Sequence, residues 1–176
     1  MRTYKKISIA FFITVFLIVV SVVIFSYLLI NKSKPNYNTT LETEKISGEV
    51  NIYRDSMGIA YITANNDIDA AFALGYTHAQ ERLYQMDLIR RAASGRLSEI
   101  FGKKTVPFDK MFLTLGIKNA AKQKLNDLDQ NTLNILKSYS NGVNYFIENN
   151  KSKLPIEFSV LNYIPKKWKP EHSLYI

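Results

Sequence analysis

The stretch from Glu49 to Gly102 does most to restrict how this chain can fold. Glu49-Val50-Asn51-Ile52-Tyr53-Arg54 and Ile59-Ala60-Tyr61-Ile62-Thr63 read as two short strands, with Val50 and Ile52 alternating with Asn51 and Tyr53 as on a half-buried strand. Asp55-Ser56-Met57-Gly58 reads as the turn between them, since Asp can bond its own backbone and Gly can take a positive φ. A long helix is expected from about Asp67 to Ala93, because Ile68, Phe72, Gly75, Tyr76, Ala79, Leu83, Met86 and Arg90 recur at steps of three and four. Asn66 or Asp67 caps it, Arg90-Arg91 sit in the last turn where the dipole favours cations, and Ser94-Gly95 ends it. Gly75 costs a mid-helix position about 1 kcal/mol relative to Ala, so it is expected to permit close packing, against the hairpin.

Upstream, Ile7 to Ile30 carries no charge and is rich in Ile, Val, Leu and Phe. At about 1.5 Å per residue it reaches roughly 36 Å, enough to cross the hydrocarbon of a bilayer. Its close, Tyr27-Leu28-Leu29-Ile30-Asn31, lacks the small residues of a cleavage site, which favours an uncleaved anchor over a cleaved and secreted form. Arg2, Lys5 and Lys6 then put the N-terminus in the cytoplasm and the remainder outside, in a single pass. Residues 31–45 are polar, contain Pro35 and read as a linker, leaving 1–30 as head and anchor and 46–176 as the folded domain.

Downstream, Leu97, Ile100 and Phe101 suggest one more helical turn. Pro107 opens a helix over about Phe108 to Lys124, weakened by Gly116, with Met111, Phe112, Leu115 and Ala120 turned inward. Asp129 caps another over about Gln130 to Asn149, whose buried stripe is Leu133, Leu136, Ser140, Val143, Phe146 and Ile147. Phe158 to Ile164 is expected to lie extended between Pro155 and Pro165, and Glu171-His172-Ser173 to begin a further helix.

Several chemistries are excluded or disfavoured. The chain has no cysteine, which removes disulfides, thiolate metal sites and Cys nucleophiles. Its net charge of +8 includes three cations ahead of the apolar run, and the rest are not gathered on one element, so nucleic acid is not expected as a partner. His78 and Glu81 have H-x-x-E spacing without the second His of a zincin, and read as a polar helix face. His172, with only Glu171 beside it, reads as a surface residue. No G-x-S-x-G elbow occurs, and Ser47-Gly48 and Ser94-Gly95 read as turn and cap residues, so no catalytic, cofactor or metal residue is assigned. Arg54, Asp55, Arg82, Asp87, Arg90, Arg91, Arg96 and Glu99 are read as scaffold joined by carboxylate–guanidinium pairs, with phosphate or carboxylate binding as the lesser reading. In Lys166-Lys167-Trp168-Lys169 the Trp is expected to tuck under the Pro-rich crossing segment.

The order of residues also carries a resemblance. Val50-x-Ile52-x-Arg54-Asp55-x-x-Gly58-Ile59-x-x-Ile62-x-Ala64 is followed by Ala73-x-Gly75-Tyr76-x-x-Ala79-Gln80-Glu81-Arg82-x-x-Gln85-Met86-Asp87-x-x-Arg90-Arg91, then Gly95-Arg96-Leu97-x-Glu99-x-x-Gly102. Leu154-Pro155-x-Glu157-Phe158 and Trp168-x-Pro170 complete it. From roughly Gly48 to Ser173 the chain resembles the penicillin acylase (penicillin amidase) family. After the apolar helix, the resemblance implies an α+β fold, a hairpin and helices forming an incomplete part of an αββα N-terminal-nucleophile hydrolase. It implies a self-cleaving precursor whose β chain begins with a Ser nucleophile and its own amine as base, acting on linear amides such as a β-lactam side chain or N-acyl homoserine lactone. That Ser is absent from this chain, which resembles only the first part of the α chain and is expected to be inert alone. The implied partners are the remainder of the α chain and the β chain; calcium is implied for some members, with no ligand here. The competing reading is a truncated, non-catalytic membrane-anchored remnant with at most an interaction role.

Overall fold

The computed structural model describes residues 2–175; Met1, Ile176 and the side chains of Arg2 to Lys6 and of Ala10 lie outside the described set, and with them the basic head. The chain divides into two compact units, residues 1–34 and 35–176. The first holds α1 (Arg2–Lys32). Its stretch Ile7–Lys32 is long and apolar enough to cross a membrane, a test that a signal sequence also passes.

The second unit is mostly helical with one two-stranded antiparallel sheet. Strands β1 (Asn51–Arg54) and β2 (Ala60–Thr63) pair Ile52 with Ile62 and Tyr53 with Tyr61. The isoleucines are half-buried, while the tyrosine rings stack at 4.8 Å on the exposed face, as the two-residue period requires. Asp55 builds the turn: its Oδ1 accepts from the backbone N–H of Met57 and Ile59, both at 2.9 Å, and Gly58 takes φ 80°.

Helix α2 (Asp67–Ala93) has the expected ends. The Asn66 side chain accepts from the Asp69 N–H at 2.8 Å, and Gly95 takes a left-handed φ of 64° just beyond the C-cap Ser94. Its path is not straight, since Arg82 leaves helical geometry (φ −135°, ψ 17°) and kinks it. The helix turns two stripes inward. Phe72, Ala79, Leu83 and Arg90 are buried, but so are Asp69, Ala73, Thr77, Asp87 and Arg91.

Helices α3 (Ser98–Phe101) and a 3-10 turn at Gly102–Thr105 follow, then α4 (Val106–Leu115) and α5 (Ile117–Asn126). The single helix expected over 108–124 is therefore two. Gly116 takes φ 69°, ψ 18° and its N–H bonds Phe112 and Leu113 carbonyls, a left-handed stop that only Gly adopts cheaply. The expected inward residues are also corrected. Met111 is 48% and Leu115 63% exposed, Phe112 is half-buried, and Ala121 is buried where Ala120 is not. The break at Gly116 resets the helical phase between the two segments.

Helix α6 (Gln130–Asn149) is capped by Asp129, which accepts from the Thr132 N–H at 2.9 Å and hydroxyl at 2.7 Å. Ser140, Val143, Phe146 and Ile147 are buried as expected, with Leu133 and Leu136 half-buried. This helix, rather than the hairpin, is what Gly75 approaches: a Cβ at Gly75 would overlap the Tyr139 carbonyl. Gly142 answers from the other side, where a Cβ would overlap the Phe72 carbonyl and stand 2.8 Å from the Tyr76 nitrogen. Two glycines thus set the crossing of α2 and α6.

The main core fills the space beside that crossing, with Ala79 and Leu83 of α2 against Val143, Phe146 and Ile147 of α6, closed by Leu154, Phe158 and Trp168. Phe158 belongs to α7 (Ile156–Val160), a helical turn where an extended segment was expected. Pro155 stands at its N-cap, where a missing N–H costs nothing, and a left-handed Asn162 (φ 52°) follows. A last 3-10 turn, Pro170–Leu174, covers Ala93 and Ala121 with Leu174 and Tyr175.

Candidate functional site

The densest polar arrangement stands at the C-terminal end of α2. Spacings of three and four put Asp87, Arg90 and Arg91 on one side of the helix, and all three are buried. The Asp87 carboxylate accepts from the Arg90 guanidinium, from Arg91 Nε at 2.8 Å and from the Tyr163 hydroxyl at 2.9 Å. Arg91 Nη1 continues to Glu99 Oε2 at 2.8 Å, and Glu99 also takes Arg96 Nε at 2.6 Å and Nη2 at 2.7 Å. Arg90 Nη1 reaches across to the carbonyls of Lys166 (2.9 Å) and Lys167 (3.1 Å). The two guanidiniums also stack on aromatic rings, Arg90 over Trp168 and Arg91 over Tyr163.

The electrostatics agree with a pinned scaffold. Burial pushes the Asp87 carboxyl up, but the Arg90 and Arg91 charges and hydrogen bonds outweigh it and hold the group below the usual carboxylate range. Burial, helped by Asp87, raises the Tyr163 hydroxyl, so it stays a donor. Arg96 lowers Glu99. Asp87, Arg90, Arg91, Arg96 and Glu99 each have a partner, so the network joins α2, the loop after Gly95 and the 163–168 segment.

The other sequence candidates lie elsewhere. His78 stays exposed, its Nδ1 3.0 Å from the Tyr139 hydroxyl, while Glu81 accepts from Arg54 at 2.9 Å and from Tyr37 at 3.2 Å; the two do not converge. Arg54 also donates to Gln80 at 2.8 Å and lies 4.0 Å from the Tyr37 ring centre, and Arg82 donates to Gln85 at 3.3 Å. Ser94 Oγ donates to the Arg90 carbonyl at 2.7 Å, a cap contact. Ser47 Oγ donates to Asp69 at 2.7 Å, and the Ser47 and Gly48 N–H groups donate to the same carboxylate. Among the described residues no serine or threonine hydroxyl bonds a histidine, and no group of three His, Asp or Glu side chains could hold a metal.

One expectation is overturned. His172 is half-buried rather than on the surface, with Nδ1 accepting the Lys169 N–H at 3.0 Å and its ring edge-on to Trp168. Burial, together with the charges of Arg90 and Lys169, pushes its pKa down to about 3, so the ring is neutral and carries its proton on Nε2. Trp168 is tucked in as expected, exchanging two hydrogen bonds with the Asn144 side chain (2.7 and 2.8 Å) and donating Nε1 to Ser173 Oγ at 3.0 Å. Asp69, Asp109, Asn144 and Tyr163 had not been singled out. Of these, Asp69 had a visible signal, standing three residues after the N-cap Asn66.

Segment 36–48 lies against α2, β1 and α6, with Asn36 O accepting from Gln80 and Glu42 O from Tyr145, and beneath it is a cavity of about 550 Å³ bordered by Arg54, Phe72, Tyr76 and Gln80.

A hairpin feeding a long helix, crossed by a second helix and tied by a buried Asp–Arg network, defines a mostly helical scaffold. Residues 49–176 match the penicillin amidase family. The chain is 35% identical over 142 residues to the penicillin acylase 2 proenzyme of Pseudomonas sp. strain SE83, covering 81% of this chain and 18% of that protein. It is 34% identical over 131 residues to penicillin G acylase of Escherichia coli, covering 72% and 16%. It is 33% identical over 131 residues to acyl-homoserine lactone acylase QuiP of Pseudomonas aeruginosa, covering 74% and 16%. The thermostable penicillin G acylase from Alcaligenes faecalis shares the fold, with a TM-score of 0.66 at 22% identity over 72% of this chain and 69% of that one. The chain belongs to the penicillin amidase family, and it spans less than a fifth of the length of these curated relatives.

Proposed function

We propose that this chain is the opening part of the α-chain scaffold of an amidohydrolase, anchored through residues 7–30 with residues 46–176 outside the cytoplasm. Residues 31–45 join the two in this reading. The complete enzyme transfers an acyl group from a linear amide to water, the amide being a β-lactam side chain or an N-acyl homoserine lactone, in keeping with relatives named for penicillin G and for acyl-homoserine lactones. Its nucleophile is a Ser at the start of a second polypeptide, released from a precursor, as the word proenzyme in one relative's name suggests. Any calcium is held by residues outside this chain.

The supporting observation is the disposition of apolar side chains. Phe108, Met111 and Leu115 are 56, 48 and 63% exposed along α4, Val160 is exposed at the end of α7, and Ile164 is exposed just beyond it. Such faces are what further α-chain and β-chain elements of the αββα fold would cover. The work of the Asp87 network here is positioning: it fixes the end of α2 relative to the 163–168 segment. The test is to read the gene beyond codon 176 and express the whole frame. A Ser that becomes N-terminal by self-cleavage, with amide hydrolysis lost on Ser→Ala, is expected; a stop with no such Ser supports the non-catalytic remnant instead.

A further inference from the structure

The Asp–Arg network forms one wall of a second cavity, of about 230 Å³, whose other walls bring together cations far apart in sequence. α2 and the loop after it contribute Arg90, Arg91 and Arg96. α5 contributes Lys118 and Lys122, one turn apart, and the segment before the last 3-10 turn contributes Lys166, Lys167 and Lys169. Against these eight stand four carboxylates: Asp87 and Glu171 in the wall, Glu99 on Arg91 and Arg96, and Glu148 on Lys167. Asp87 and Glu99 are spent on the arginines. Lys118, Lys122 and Lys166 have no ion-pair partner among the described residues.

We propose that this cavity binds a multiply charged oxyanion of the phosphate class, as free phosphate, a small phosphate monoester or a phosphomonoester headgroup. Like charges drawn from three segments into one concavity repel each other, and a bound dianion turns that repulsion into attraction. The donors come from three different elements, which suits an anion with oxygens on several sides better than a planar carboxylate held by one guanidinium fork. Neutral His172, with Nδ1 accepting from Lys169, keeps an Nε2–H donor on the same wall. Burial first, then Arg90 and Lys169, with a smaller part from Arg96 and against the pull of Asp87, lower the proton affinity of that ring and keep it neutral.

The test uses the full chain in nanodiscs of neutral lipid, with ring nitrogen signals of the two histidines followed as inorganic phosphate replaces chloride at constant ionic strength. A saturable shift of His172 is expected, with His78, outside the cavity, unmoved. Exchanging both exposed lysines, Lys118→Gln with Lys122→Gln, is expected to weaken the response about tenfold or more while the fluorescence of buried Trp168 stays native. A His172 shift in discs containing phosphatidic acid without free phosphate assigns the lipid headgroup as the source, and one with free phosphate alone assigns a soluble ligand. Identical behaviour in phosphate and chloride in both kinds of disc, or an undiminished response in the double variant, overturns the proposal.

Discussion

Gly75 of α2 lies so close to Tyr139 of α6 that a single methyl group at Gly75 would overlap the Tyr139 carbonyl oxygen. Gly142 makes the reciprocal approach to Phe72, so neither helix can relieve the other by sliding along it. Gly75→Ala or Gly142→Ala is expected to cost about 3 kcal/mol, the upper end of the range for an overpacked core, and Gly75→Leu to unfold the unit. Gly58→Ala meets no atom within 4 Å and pays only for φ 80°, about 1 kcal/mol. Urea titrations followed by Trp168, the only tryptophan, check the contrast. Equal effects at positions 58 and 75 would refute the reciprocal-glycine packing.

Removing Asp87 strands two buried guanidiniums. Asp87→Ala is expected to lose about 3–5 kcal/mol, the usual penalty for breaking a buried ion pair from one side. Tyr163→Phe removes one hydrogen bond to the same carboxylate and is expected to lose about 1 kcal/mol or somewhat more. The midpoint of urea unfolding measures both.

Asp109, buried on α4, accepts from the N–H groups of Leu97 at 2.7 Å and Ser98 at 2.9 Å, so it holds the start of α3. Burial pushes its carboxyl up, but the Ser98 and Leu97 donors prevail and leave it lowered. Asp109→Ala is expected to cost about 1–2 kcal/mol and to raise amide exchange over residues 97–101 before the rest of the unit. Uniform exchange across the unit would contradict a local role.

The pH dependence follows from groups held below their ordinary values. His172 is at about 3 in the folded chain, against about 6.5 unfolded, so its contribution is complete above pH 6.5 and is lost as pH falls towards 3. Over that window the folding free energy is expected to drop by at most about 1.4 kcal/mol per pH unit. Asp69, Asp87 and Asp109 are also lowered, and their contributions disappear only below the ordinary carboxylate range, about pH 4. His172→Gln is expected to flatten the upper part of the profile and leave the lower part. An unchanged slope between pH 6 and 4 would remove His172 as its source.

Hairpin, turn, α2 and α6 were legible in the sequence because local signals there agree: Asp55 and Gly58 at the turn, Asn66 and Asp129 at caps, apolar steps of three and four between them. The partner of Gly75 was not legible, since a glycine announces close approach without saying to what. The split at Gly116 carried a signal read too weakly, as Gly ends a helix more often than it merely weakens one. The turn of helix at 156–160 hid between prolines that exclude long helices but admit short ones. The expected carboxylate–guanidinium pairing holds for Asp87, Arg90, Arg91, Arg96 and Glu99 and for Arg54 with Glu81, while Asp55 bonds turn N–H groups and Arg82 bonds Gln85. The closeness of Lys118 and Lys122 to Lys166, Lys167 and Lys169 was not, because contacts between distant segments leave no periodic trace. For the same reason His172 read as a surface residue.

The most direct test of a scaffold that needs a second polypeptide for its chemistry is an amidase assay on this 176-residue chain alone, with chromogenic acyl-amide substrates and a vector-only preparation as control. No turnover above the control is expected. Turnover above it, lost on substitution of a residue within this chain, would contradict the account.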